Sequence, residues 1–113
     1  MSILTQLQDG AARITISERF DSGQYQQFKS AYLPLLDNRA VQTIEVDVSQ
    51  VDYLDSGALG MLVLLNESAK NADKKVVLIS LPGPVADVLK IANADKLFSI
   101  NLPSGMRLNL HAQ

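Results

Sequence analysis

The stretch that decides the fold is residues 51–65, VDYLDSGALGMLVLL. An alternating run just before it, IEVDV at 44–48, predicts a strand that leads into it through a loop at 49–55. Asp55 and Ser56 carry short side-chain oxygens, which accept hydrogen bonds from the unpaired amides at the start of a helix. From Ala58 onward the apolar residues have helical spacing, so a helix is predicted to begin at this point. The stretch is therefore a strand, a loop and a helix N-terminus that carries one hydroxyl beside one carboxylate.

The composition is that of an ordinary globular protein. The 113 residues suffice for one domain with a hydrophobic core, so a single domain is expected over 1–113. A net charge of −2 means that the chain lacks the excess of basic residues typical of proteins that bind nucleic acid or an anionic membrane. The absence of cysteine excludes a disulfide framework, a thiolate nucleophile and a metal site built from cysteines. The longest apolar run, 61–65, is far below the roughly 18 residues of a membrane span, and no secretory profile is present. We therefore expect a cytoplasmic protein without membrane insertion.

The remaining patterns complete a series of strands and helices. The predicted elements are, in chain order, a hairpin with arms at 3–8 and 12–17, a helix at 22–36, a strand at 42–48, a helix at 56–71, a strand at 76–81, a helix at 84–92 and a short strand at 97–100. Asp9-Gly10 supplies the hairpin turn, and Asp21 with Gln24 can form a capping box at the first helix. Pro34 is expected to kink or end that helix. The order predicts an α/β domain, with a mixed sheet, an N-terminal hairpin and three to four helices packed against it.

Element order and motif together resemble the STAS domain, the fold of bacterial anti-sigma factor antagonists. The resemblance covers nearly the whole chain and centres on the hexapeptide DSGALG at 55–60, which opens a helix. In that family the pattern is typically Asp-Ser-Ser/Thr-Gly-Leu-Gly, and the serine after the aspartate is phosphorylated. That serine maps onto Ser56. The chain departs from the pattern at Gly57, where the family usually has Ser or Thr, and at Ala58, where it usually has Gly.

Four roles are open to Ser56. The first is a helix cap and nothing more, worth about 1 kcal/mol. A catalytic nucleophile would need a base within hydrogen-bond reach, and the one histidine, His111, is third from the end of a tail whose residues 107–111 fit a short helix or an edge segment. Anion binding at the helix N-terminus is opposed by Asp55 and by the lack of Lys or Arg from 40 to 69. The fourth role, a phosphorylation switch, requires only an exposed serine in a conformation that a kinase can bind.

Three carboxylates near the same strand raise the question of a metal. Asp47, Asp52 and Asp55 could hold magnesium, as in phosphoacceptor receiver domains. Such domains also depend on a lysine near a later strand end, and the segment at 80–82, SLP, has none. Solvated or capping carboxylates are therefore expected, with no metal, no cofactor and no catalytic residue.

The second helix offers a candidate docking patch. At 100° per residue its polar strip faces away from the sheet, with Val63 and Leu64 on either side of that strip and at least partly exposed. One interpretation is that both pack under neighbouring helices. The other is a patch on which a partner docks, where Gly60 lets the partner's backbone approach Ser56. The partner-binding residues of the second interpretation are Asp55, Ser56, Gly57, Gly60, Val63 and Leu64.

The resemblance implies a non-enzymatic, protein-binding switch in transcription regulation. The unphosphorylated form would bind an anti-sigma factor or a switch kinase of the histidine-kinase-like ATPase type. Phosphorylation of Ser56 would release that partner, and a PP2C-type phosphatase would restore binding. The alternative is an accessory subunit of a lipid-transport ABC system, whose helix stays docked on an ATPase. The intact Asp55-Ser56 pair favours the switch.

A phosphate on Ser56 is expected to act outwardly, on the partner. Between Arg39 and Lys70 every charged residue is acidic, so the local sequence offers no cation for an internal salt bridge. The exception would be a fold that brings Arg13, Arg39 or Lys70 close.

Overall fold

A computed structural model describes residues 2–91 and 99–101 of the chain. The strands in these ranges form one mixed sheet in the order β1-β2-β3-β4-β5, with helices packed against it. The predicted α/β architecture with an N-terminal hairpin is confirmed. The elements are β1 (Ser2–Gln8), β2 (Ala11–Phe20), a 3₁₀ helix (Ser22–Gln24), α1 (Tyr25–Asp37), β3 (Thr43–Leu54), α2 (Ser56–Asn71), β4 (Lys75–Ile79), α3 (Pro84–Ile91) and β5 (Ser99–Asn101).

The pairing of the strands sets where the helices begin. β1 pairs with β2 antiparallel, and the turn between them has positive φ at Asp9 (47°) and Gly10 (83°), as a type I′ hairpin turn requires. From β2 to β5 each strand is parallel to the next. The carboxyl ends of β2, β3 and β4 therefore lie at one edge of the sheet, and α1, α2 and α3 each start from that edge.

The hydrophobic core lies between the helices and one face of the sheet. Ile14 is paired with Val46, and Val46 with Leu78, so alternate residues of three strands share this face. The rings of Phe28 and Tyr32 on α1 are 5.3 Å apart in an edge arrangement, and both side chains are buried in this core. The largest fully buried side chains are Phe20, Phe28, Ile14, Ile16, Ile44, Leu62, Leu65, Leu78, Leu89, Val46 and Val48.

β3 is longer than the sequence indicated. A loop was predicted at 49–55, but β3 continues to Leu54. The reason is a partner strand, because β2 extends to Phe20 and pairs with β3 up to Leu54 after two register irregularities. The extension also buries Val51, which is 7% exposed. The connection from β3 to α2 is therefore the single residue Asp55.

The first helix passes through its proline. The sequence predicts that Pro34 kinks or ends α1. Pro34 does not end the helix, which continues to Asp37. The proline removes one backbone donor, while Leu35, 5% exposed, keeps the last turn packed in the core. β4 and α3 lie within two residues of their predicted bounds. The predicted segment at 107–111, with His111, lies outside the described residues. In the part that the structure describes, no helix combines the length and apolar character needed to cross a membrane.

Candidate functional site

The start of α2 separates the roles of two neighbouring side chains. Asp55 is the N-cap, with extended backbone (φ −108°, ψ 179°), and its Oδ1 accepts a hydrogen bond from the amide of Ala58 at 2.9 Å. Ser56 is the first helical residue and is exposed. The cap role considered for Ser56 therefore belongs to Asp55, and the cap does not use the Ser56 hydroxyl.

An exposed face runs along α2 from that hydroxyl. Ser56 and Gly60 are exposed, Leu64 is 47% exposed and Val63 is partly exposed. We call these four residues the exposed face of α2. A Cβ placed on Gly60 would meet no neighbouring atom of the described chain within 4 Å, so the face is open at its middle. The core side of the helix is formed by Ala58, Met61, Leu62, Leu65, Asn66 and Ala69.

Gly57 has a different environment, because it lies against the 3₁₀ helix. A Cβ built on Gly57 would be 2.7 Å from the Cβ of Ser22 and 3.3 Å from Oδ1 of Asp55. A side chain at this position would force a neighbour to move. Ser22 thus occupies the space that the Ser or Thr usual in the resembled pattern would need.

The two touching turns share one sequence, Asp-Ser-Gly, at 21–23 and 55–57. In the first, Oδ1 of Asp21 accepts from the amide of Gly23 at 2.9 Å, and the side chain of Gln24 accepts from the amide of Asp21 at 2.9 Å. The predicted capping box is therefore present. In both turns the aspartate makes the cap and the serine after it is exposed.

Arg19, at the end of β2, is a neighbour that sequence reasoning missed. Its Nε donates to Oδ2 of Asp21 at 2.9 Å, and its Cζ lies 4.6 Å from the centroid of the Tyr53 ring. The hydrogen bond to Asp21 and the charge of that carboxylate raise the pKa of the Arg19 guanidinium, with smaller contributions from Tyr53 and Asp55. The signal that could have found it is strand pairing, because Arg19 is in register with Tyr53, two residues before Asp55.

The three carboxylates considered for a metal have separate surroundings. Asp47 accepts from the amide of Ser49 at 2.9 Å and from its hydroxyl at 2.6 Å, and Nη1 of Arg13 lies 3.9 Å from Oδ2 of Asp47. Asp55 caps α2, and Asp52 is exposed. Across residues 2–91 and 99–101, no group of three or more His, Cys, Asp or Glu side chains is arranged to hold a metal ion.

Comparison with known proteins identifies a family and a relative at moderate identity. The family model described as "Mlab, STAS domain" matches residues 3–102. A STAS-domain containing protein of Pseudomonas aeruginosa (strain UCBPP-PA14) is 38% identical over 90 residues, which cover 78% of this chain and 85% of the relative.

Solved structures show the same fold. An anti-sigma factor antagonist from Mycobacterium paratuberculosis superposes with a TM-score of 0.80 at 16% identity, over 91% of this chain and 86% of the other. The Bacillus cell fate determinant SpoIIAA in its phosphorylated form gives a TM-score of 0.68 at 14% identity, over 88% and 90% of the two chains. At these identities the likeness is one of fold.

Proposed function

The chain belongs to the STAS domain family, and from that premise we propose that it is a non-enzymatic, protein-binding switch of the anti-sigma factor antagonist type. In its unphosphorylated form it binds an anti-sigma factor or a switch kinase of the histidine-kinase-like ATPase type. Phosphorylation of Ser56 releases the partner, and a PP2C-type phosphatase restores binding.

The observation that carries this proposal is the exposed Ser56 hydroxyl, which the helix cap leaves unused. A kinase needs an accessible hydroxyl on a fixed backbone, and the first residue of a capped helix provides both. A phosphate at this position adds about −1.5 to −2 charges, which the positive end of the helix dipole favours. The modification is therefore compatible with a folded domain. SpoIIAA, solved in its phosphorylated form, is a domain of the same fold in that state.

The exposed face of α2 is the surface on which the partner docks. Leu64 supplies exposed apolar area one turn beyond the open Gly60. A partner that covers this face lies directly over Ser56, so a new phosphate would occupy the contact and repel acidic groups on the partner. Release then requires no unfolding of this domain.

The test is partner capture from cells that encode this chain, with wild type, Ser56→Ala and Ser56→Asp as baits. Wild type and Ser56→Ala should retain an anti-sigma factor or an ATPase of the stated type, identified by mass spectrometry, and Ser56→Asp should lose most of it. Ser30→Asp, which adds the same charge at an exposed position of α1, is the matched control and should bind as wild type does. Normal binding by Ser56→Asp would refute the switch.

A second candidate is an accessory subunit of a lipid-transport ABC system, in which α2 stays docked on an ATPase. The observation that favours it is the match to a model described as "Mlab, STAS domain". Co-purification of a transporter ATPase by wild type and Ser56→Asp alike, with no phosphorylated species in the intact mass, would select this candidate over the switch.

A further inference from the structure

Arg19 is a cation at the end of β2, close to the contact between the two Asp-Ser-Gly turns, and the proposed switch gives it no role. Its side chain is 63% exposed, and Oδ2 of Asp21 and the face of Tyr53 hold it at the end of β2. Because Ser22 meets Gly57 at the contact between the two Asp-Ser-Gly turns, the end of β2 and the start of α2 form one continuous surface. Arg19 binds Asp21, the residue before Ser22, and Ser56 is the residue before Gly57, so this one contact links the guanidinium to the start of α2.

We propose that Arg19 binds the phosphate of phosphorylated Ser56, leaving its contact with Asp21 to do so. The proposal rests on the proposed function for the modification itself. In that modification a serine kinase transfers the γ-phosphoryl group of ATP to Oγ of Ser56. The new O–P bond replaces the bond to ADP, and the hydroxyl proton passes to a base on the kinase.

Charge favours the movement of Arg19 from Asp21 to the phosphate. A guanidinium binds phosphate through two parallel hydrogen bonds, and a group with nearly two negative charges attracts it more strongly than one carboxylate does. The other charges described around the surface are acidic, Asp21 and Asp55 at the two caps and the exposed Asp52 on β3. An arginine that turns to the phosphate screens it from these carboxylates.

Asp21 loses little when Arg19 leaves. Its Oδ1 keeps the hydrogen bond from the amide of Gly23, and Gln24 keeps the other half of the capping box. Only Oδ2 gives up a partner, and water can replace it because this side chain is 22% exposed. The exchange therefore leaves the start of α1 capped.

The consequence is a phosphate held against the domain rather than free in solvent. Arg19 would also leave the ring of Tyr53, which is 46% exposed. Phosphorylation thus changes two parts of the surface at once, the group on Ser56 and the aromatic face two residues before Asp55. This extends the proposed switch, because the affinity of a partner that contacts Tyr53 would change at that ring as well as at Ser56.

The test uses phosphoserine installed at position 56 during translation, so that no kinase or partner is needed. The second pKa of the phosphate is measured by ³¹P NMR in the wild-type background, in Arg19→Gln and in Arg39→Gln, which removes the same charge from an exposed loop position. A nearby cation favours the dianion, so the pKa in wild type should be lower than in Arg19→Gln by about 0.5 unit or more. Arg39→Gln should match wild type.

A second readout follows Arg19 itself. Its Nε–H resonance should move when Ser56 is replaced by phosphoserine, and it should move back when the phosphate is removed. Equal pKa values in wild type and Arg19→Gln, an equal effect of Arg39→Gln, or an Nε–H resonance that does not respond would each overturn the proposal. Failure of the switch in cells would appear in the capture experiment alone, since the NMR samples carry the phosphate by construction.

Discussion

At the scale of single residues, the site depends on which side chain is already engaged. The carboxylate of Asp55 is held by the amide of Ala58, whereas Ser56, one residue later, faces solvent. Sequence patterns could not separate the two, because Asp and Ser are about equally good caps. The backbone decides it, since Asp55 has the extended conformation of a cap and Ser56 is already inside the helix.

Gly57 gives a prediction at the same scale. Ala in place of Gly in a helix normally adds up to about 1 kcal/mol to the free energy of unfolding. At Gly57 the new Cβ would be 2.7 Å from that of Ser22, so Gly57→Ala should instead lower it by about 1–3 kcal/mol. Gly60→Ala, where the space is open, is the control and should raise it. Urea melting measures both.

The contact with Ser22 can be isolated by a double-mutant cycle. Ser22→Gly removes the Cβ that would clash, so Gly57→Ala should cost less in that background than in wild type. If Gly57→Ala stabilises the wild-type domain, or if its cost is the same in both backgrounds, the two turns are not in the contact described.

At the scale of elements, α2 has two faces that should respond differently to the same change. Leu62 is fully buried and Leu64 is 47% exposed. Leu62→Ala should lower the free energy of unfolding by about 2–5 kcal/mol, whereas Leu64→Ala should cost well under half of that. Leu64→Ala should instead weaken partner binding. Equal destabilisation in urea, with partner affinity unchanged, would place Leu64 in the core.

The bounds of α2 were predictable because their causes are local. The cap at Asp55 and the apolar stripe after Ala58 lie within one stretch of chain, and the helix begins and ends where they indicate. The end of β3 was not predictable in this way. Residues 49–54 become strand because β2, some thirty residues earlier, extends beside them, and no pattern inside 49–54 reports that pairing.

Arg19 was missed for the same reason. No cation lies between residues 40 and 69, so the sequence indicated a phosphate without an internal partner. Parallel pairing of β2 with β3 brings Arg19 beside Tyr53. Contacts between strands far apart in the chain are set by the register of the sheet, which local patterns do not fix.

At the scale of the whole molecule, the parallel order of β2 to β4 places the site of the proposed switch away from the hydrophobic core. The carboxyl ends of these strands lie at one edge, where the two caps, Ser56 and Arg19 are located, while the buried side chains fill the space between sheet and helices. Changes of the exposed side chains at that edge, Ser56 and Arg19, should therefore alter the proposed binding more than stability. Changes in the aromatic cluster of α1 should do the reverse.

The pH dependence of global stability gives a prediction for that cluster. Burial of the Tyr32 side chain, with a smaller contribution from Tyr25, raises the pKa of its phenol above the ordinary value, against a small opposing effect of Lys29. A raised pKa means that the folded state keeps the proton after the unfolded state has lost it. The stability contribution is therefore fully present below about pH 10 and is lost as the pH rises through the folded-state pKa.

Tyr32→Phe should remove this part of the alkaline loss. We expect the free energy of unfolding, measured by urea melting between about pH 9 and pH 11, to fall less steeply in Tyr32→Phe than in wild type. Tyr53→Phe, which removes a hydroxyl from a ring that is 46% exposed, is the matched control. Tyr32→Phe keeps the ring that packs on Phe28 at 5.3 Å, so the stability of this variant at neutral pH should change little. An alkaline slope that is the same in Tyr32→Phe and wild type would show that the ionisation of other groups, and not the burial of this phenol, governs the loss.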